Sequence, residues 1–133
     1  MKVVVIDGQG GKLGYEIISA INKCEINCEI IAIGTNAIAT QAMLKAKPNF
    51  AATGENPVIV NVKNADFIIG PIGIVIADSL FGEITSAMAL AISQANAKRI
   101  LMPINKCNNL LVGVKDNTID EKINEVINIL KTK

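Results

Sequence analysis

Residues Val3 to Gly14, VVVIDGQGGKLG, constrain the fold more than any other stretch of the chain. Val3 to Ile6 run without a polar break, the pattern of a strand buried on both faces of a parallel sheet. The run ends at Asp7, and Gly8, Gly10, Gly11 and Gly14 carry a tight turn into an amphipathic segment. Strand, glycine turn and helix in that order direct backbone N–H groups and a helix N-terminus toward a phosphate or other anion. The stretch predicts a parallel α/β sheet with a ligand near its first turn.

The rest of the chain repeats the alternation. Leu13, Ile17, Ile18, Ile21 and Cys24 recur at helical spacing, which predicts a helix from about Gly11 to Lys23. Glu29 to Ile33 reads as a second strand ending at Gly34-Thr35-Asn36. Ile38, Ala42, Met43 and Ala46 form one face of a second helix, with Thr35 or Asn36 as its cap and Pro48 as its stop. Phe50 to Ala52 reads as a short strand, and Thr53-Gly54-Glu55-Asn56 as its loop. A short helix over Pro57 to Asn64 is preferred to a β-hairpin there, although Val58, Val60 and Val62 alternate as a strand would. Asp66 to Gly70 is a buried strand ending in Gly70-Pro71. Ile84, Ala87, Met88, Ala91, Ile92 and Ala95 define a helix, and Arg99 to Met102 a strand closed by Pro103. Leu110 to Val114 reads as a last edge strand, and Ile119, Ile123, Val126, Ile127 and Leu130 as a terminal helix capped by Thr118.

This alternation predicts one domain over residues 1–133, a three-layer αβα Rossmann-like sandwich with a mostly parallel sheet of five to six strands. The expected order is 3-2-1-4-5, with a sixth strand beside the fifth. Winding then reverses between the first and fourth strands, and ligands collect in the crevice at their C-terminal ends. The glycine turn would face Gly70, Pro71 and Gly73 across it.

Composition removes several function classes. Net charge is +1 with no long basic run, which argues against nucleic-acid binding. The apolar runs fall short of the roughly 20 residues of a membrane helix, and a strand at the very start leaves no room for a signal peptide. A cytoplasmic protein is expected. Cys24, Cys28 and Cys107 match no zinc or redox spacing and are expected to stay reduced. The chain contains no histidine, so Ser-His and Cys-His pairs are excluded and acid–base chemistry falls to Asp, Glu, Lys, Cys or Tyr15. No metal is expected.

The glycine turn departs from known fingerprints. A G-x-G-x-x-G pattern from Gly8 would need glycine where Leu13 stands, and counting back from Gly14 places Gln9 where the first glycine belongs. The acidic residue that would hold ribose hydroxyls at the end of the second strand is replaced by Gly34-Thr35-Asn36. A Walker loop fails for want of Gly-Lys-Ser/Thr. The expected ligand is therefore a small anionic molecule, with a nucleotide or dinucleotide possible. The residues expected around it are Asp7, Gly8, Gln9, Gly10, Gly11, Lys12 and Leu13, with Gly34, Thr35, Asn36, Thr53, Gly54, Glu55, Asn56, Gly70, Pro71 and Gly73. Asp7 could hold Mg²⁺, accept from a hydroxyl or cap nearby N–H groups. Glu55, Asp78 and Glu83 read as further loop carboxylates, and Lys12 and Lys106 as phosphate partners. Cys107, in Pro103-Ile104-Asn105-Lys106-Cys107, has a neighbouring lysine that could activate it. Valine at Gly10 or Gly11 is expected to block the backbone approach with the fold intact.

The segments IDGQGGKLG, IGTNAIATQAMLKA, ATGEN, IIGPIGIVIADSLFGEIT and PINKCN, in this order, resemble the bacterial proteins of domain of unknown function 3842. The resemblance spans nearly the whole chain. It implies a single-domain bacterial protein with a Rossmann-type first βαβ unit, and transfers no catalytic residue.

Three functions remain open on sequence grounds. The chain is a binding module for a nucleotide or phosphorylated metabolite, a small enzyme for proton or phosphoryl transfer using Asp7, Lys12 or Glu55, or a structural subunit. The apolar run Ile72 to Gly82 predicts a homodimer, since soluble monomers seldom expose such a patch. Packing inside the domain, as a helix from about Ile74, is the alternative.

Overall fold

The computed structural model describes residues 1–104 and 106–133. Its sheet has five parallel strands: β1 (Lys2–Asp7), β2 (Glu29–Gly34), β3 (Phe50–Thr53), β4 (Phe67–Pro71) and β5 (Lys98–Met102). They lie in the order β3-β2-β1-β4-β5. β1 runs in full register with β2, from Lys2 opposite Glu29 to Asp7 opposite Gly34, and Val3 to Val5 pair with Phe67 to Ile69 of β4. Because side chains alternate along a strand, Val3 and Val5 face one layer while Val4 and Ile6 face the other. All four are fully buried, which explains why β1 shows no polar break.

Helices α1 (Lys12–Lys23), α2 (Ala37–Leu44) and α5 (Ile119–Lys131) cover the Val3/Val5 face, through Ile17, Ile18, Ile21, Met43, Ile123, Val126, Ile127 and Leu130. Helices α3 (Glu55–Asn61) and α4 (Ser86–Gln94) cover the other face, through Val58, Met88, Ala89 and Ile92. Each buried isoleucine adds about 1.5–3 kcal/mol of transfer free energy. The three layers form a Rossmann-like αβα sandwich, and winding reverses between β1 and β4.

Local signals account for the helix boundaries. Asn36 caps α2 by accepting the Ala39 N–H, and Thr35 does not. Thr85 caps α4 by accepting the Met88 N–H. Thr118 and Glu121 form a reciprocal capping box on α5. Pro57 sits in the first turn of α3, where its missing N–H costs nothing, so the helix forms and the hairpin does not.

Several expectations are corrected. Leu110 to Val114 forms no strand, and among the described residues the sheet has five. Leu110 is 94% exposed and Val112 has no cover, so the apolar pattern there does not record burial. In α2 the buried face is Ala39, Thr40 and Met43, whereas Ile38 is exposed. No long helix starts at Ile74. Residues Ile72–Val75 form a 3-10 turn, followed by successive turns that bury Ile74 and Leu80 and leave Phe81 99% exposed. Asp78, Leu80 and Phe81 hold positive φ angles of 64°, 54° and 56° there, which a helix cannot accommodate.

Candidate functional site

The turn after β1 is held by Asp7. Its two carboxylate oxygens accept the Gly8 N–H at 2.8 Å and the Gly14 N–H at 2.7 Å, closing the loop across the start of α1. Asp7 thus serves as the cap of its own turn, the simplest of the three roles open to it. Burial raises its pKa, Glu83 nearby raises it further, and the two N–H donors oppose that rise. Gly11 stands at φ 72° as the residue before α1, and the Ala39 backbone lies where its Cβ would go. A valine at Gly11 would therefore break the α1–α2 contact, contrary to the sequence expectation. Gly10 opens onto free space, so a side chain added there meets no protein atom within 4 Å.

The β2–α2 loop closes on the same turn. The Thr35 N–H donates to the Asp7 carbonyl at 3.0 Å, and Asn36 Nδ2 donates to the Gln9 carbonyl at 3.0 Å. Glu83, from the loop before α4, joins the two loops. Its Oε1 accepts from the Gln9 N–H at 2.9 Å, Thr35 Oγ1 at 2.5 Å and Asn36 Nδ2 at 2.8 Å. Partial burial raises the Glu83 pKa, but these three donors, Thr35 foremost, outweigh it and leave the carboxyl below its ordinary range. A Cβ on Gly8 would strike Thr35 Oγ1 and this carboxylate, so a side chain there would displace the two from their hydrogen bond.

Other expected residues sit apart. Gly54 donates its N–H to the Gly34 carbonyl at 2.9 Å, and Thr53 Oγ1 meets Thr40 Oγ1 at 2.7 Å, so this loop is tied to the end of β2 rather than to the glycine turn. Glu55 Oε1 accepts from Thr85 Oγ1 at 2.5 Å, and Asn56 is exposed in the first turn of α3. Gly70 packs against the Ile6 carbonyl, where a side chain has no room. Gly73 accepts from Ser79 Oγ through its carbonyl, in the turns after β4.

At the C-terminal ends of β1 and β4 lies a crevice of about 500 Å³. Residues Asp7 to Leu13, Glu16 and Pro71 line it together with Ile104 and the start of α5, Thr118, Ile119 and Asp120. Sequence reasoning placed the glycine turn and Pro71 there, and missed Glu16, Ile104 and the α5 residues. Thr118 was legible as a cap but not as a wall, because only packing against α1 brings α5 to this edge. In the sequence Glu83 reads as one more loop carboxylate. The absence of an acid at the end of β2 was its one sequence signal, since a carboxylate from elsewhere now meets Thr35 and Asn36. Lys106 does not line the crevice, Asn105 lies outside the described residues, and Cys107 approaches the Gly73 turn. Among the described residues no group of three or more Asp, Glu, Cys or His side chains is placed to hold a metal.

The family model described as domain of unknown function (DUF3842) matches residues 2–133. The chain belongs to that family. No curated protein matches this member of the DUF3842 family in sequence. Among solved structures, a dodecameric FMN-dependent UbiX-like decarboxylase from Escherichia coli O157:H7 is 16% identical, with a TM-score of 0.44. The match covers 99% of this chain and 92% of that one. No residue role is carried over from it. No helix among the described residues is long and apolar enough to cross a membrane.

Proposed function

We propose that the chain is a binding module, a single Rossmann-like domain over residues 1–133 that holds a nucleotide or phosphorylated metabolite at the glycine-rich turn after β1. The crevice at the reversal of winding supports this reading. There the N–H groups of Gly10, Lys12 and Leu13 have no hydrogen-bond partner among the described residues, and Gly10 carries no side chain to block approach. Lys12 supplies the cation. Glu16 and Asp120 line the same crevice and suit the hydroxyl groups of a sugar, so a phosphate with an attached sugar fits the mixed charge better than a bare anion. An enzyme using Asp7, Lys12 and Glu55 is less well supported, because Glu55 is held by Thr85 and does not line the crevice.

The test is a thermal-shift panel of nucleotides and sugar phosphates on the wild type and Gly10→Val. Stabilisation of the wild type by at least one compound, lost in the variant, supports the reading. A panel that shifts nothing at millimolar concentration rejects it. We infer a homodimer as well, formed through Ile72 to Gly82. The support is Phe81, a large apolar side chain almost wholly in solvent at the tip of that segment. Residence in the cytoplasm belongs to the same reading, in keeping with cysteines that form no disulfide.

A further inference from the structure

We propose that the outer edge of β5 is a docking site for an extended, acidic peptide segment of a partner protein, which joins the sheet as a sixth strand. β5 ends the sheet, and its inner side is taken by β4, beginning with the Lys98 N–H on the Asp66 carbonyl at 3.0 Å. In a parallel ladder the bonded residues alternate, so Arg99 and Leu101 turn their N–H and C=O groups outward. Such a row of unspent main-chain groups is a template for another strand.

Among the described residues no strand of the chain's own covers this edge. After Pro103 it passes back through Leu111 to Asn117 without pairing, and a groove of about 790 Å³ remains between that passage, β5 and α5. Ile100, Met102, Val126 and Ile129 give the groove apolar lining suited to alternate side chains of an added strand.

Charge selects the occupant. Lys98, Arg99, Lys115 and Lys122 line the groove against Glu125 alone, in a chain whose net charge is only +1. Arg99 Nη1 donates to the Ile92, Ala95 and Ala97 carbonyls and Lys122 Nζ to that of Asn117. A second copy meeting edge to edge would set these cations against their equivalents. The chain's own Leu110 to Val114 carries no acid. A nucleic acid would leave the main-chain row unpaired and would find no exposed ring in this lining, since Phe67 is buried. Acidic side chains alternating along an extended segment satisfy both the backbone and the cations.

The probe is a fluorescein-labelled hexapeptide of alternating valine and glutamate, followed by anisotropy and by amide NMR shifts. Saturable binding is expected, with the largest shifts at Arg99 and Leu101. Affinity should fall about tenfold in Lys98→Glu/Lys115→Glu, whose sites are at the surface, and should weaken with salt. A peptide N-methylated at alternate amides should not bind. The proposal is overturned if the hexapeptide shows no saturable binding, if the N-methylated peptide or a valine–lysine peptide binds equally well, or if labelled oligothymidylate binds the groove more tightly.

Discussion

Gln9 and Glu83, 74 residues apart, are joined by a 2.9 Å hydrogen bond from the Gln9 backbone N–H to Glu83 Oε1. Thr35 and Asn36 donate to the same oxygen, so one carboxylate ties the loops after β1 and β2 to the segment before α4. Glu83→Ala leaves three donors without their acceptor. Water reaches part of this site, so the expected loss is about 1–2 kcal/mol, at the low end for hydrogen bonds to a charged group. Urea unfolding measures it. An unchanged midpoint would show that the carboxylate is a passive surface group.

Asp7 and Glu83 set pH dependences of opposite sign. The Asp7 pKa is raised, so its contribution is fully present below the ordinary aspartate value of about 3.9 and is lost as pH rises through the native value. The Glu83 pKa is lowered, so its contribution is present above the ordinary glutamate value of about 4.3 and is lost as pH falls through the native value. Glu83→Gln should therefore reduce the loss of stability on acidification. It should also lower the Asp7 pKa by removing a like charge. Carboxyl NMR titration checks the second point, and an Asp7 midpoint that does not move counts against it.

Asp7→Asn replaces one acceptor oxygen by an NH₂ group facing a backbone N–H. One of the Gly8 and Gly14 donors is then left buried without a partner, at a cost of about 1–3 kcal/mol. The measurement is thermal unfolding at neutral pH, and a variant as stable as the wild type would mean the turn is held by other contacts.

Gly10 and Gly11 are adjacent but should respond differently. Gly10→Val meets open space and should leave the unfolding midpoint within a few degrees while abolishing ligand stabilisation. Gly11→Val meets the Ala39 backbone at a positive φ and should unfold the chain at much lower denaturant. Equal stability of the two variants would contradict the packing described.

Phe81→Glu tests the dimer. Its side chain touches solvent almost entirely, so the fold should keep its stability while a dimer mass seen by light scattering at micromolar concentration becomes a monomer mass. A monomer mass for the wild type removes the dimer altogether.

The sequence by itself determined the five strands that form, the helices that cover them, their order along the chain and the glycine turn, because each rests on signals within a dozen residues. Uninterrupted apolar runs mark strands covered on both faces, while Asn36, Thr85 and Thr118 mark helix starts through hydrogen bonds spanning three residues. Periodicity misled at Ile38 and at Leu110 to Val114, since an apolar residue is compatible with burial but does not compel it. Only the tertiary structure decided that Glu83 serves Gln9, Thr35 and Asn36, that α5 forms a wall of the crevice, and that β5 keeps an open edge. Those relations join residues far apart in the chain, and their partners are chosen by how the layers pack rather than by any local preference of the residues themselves.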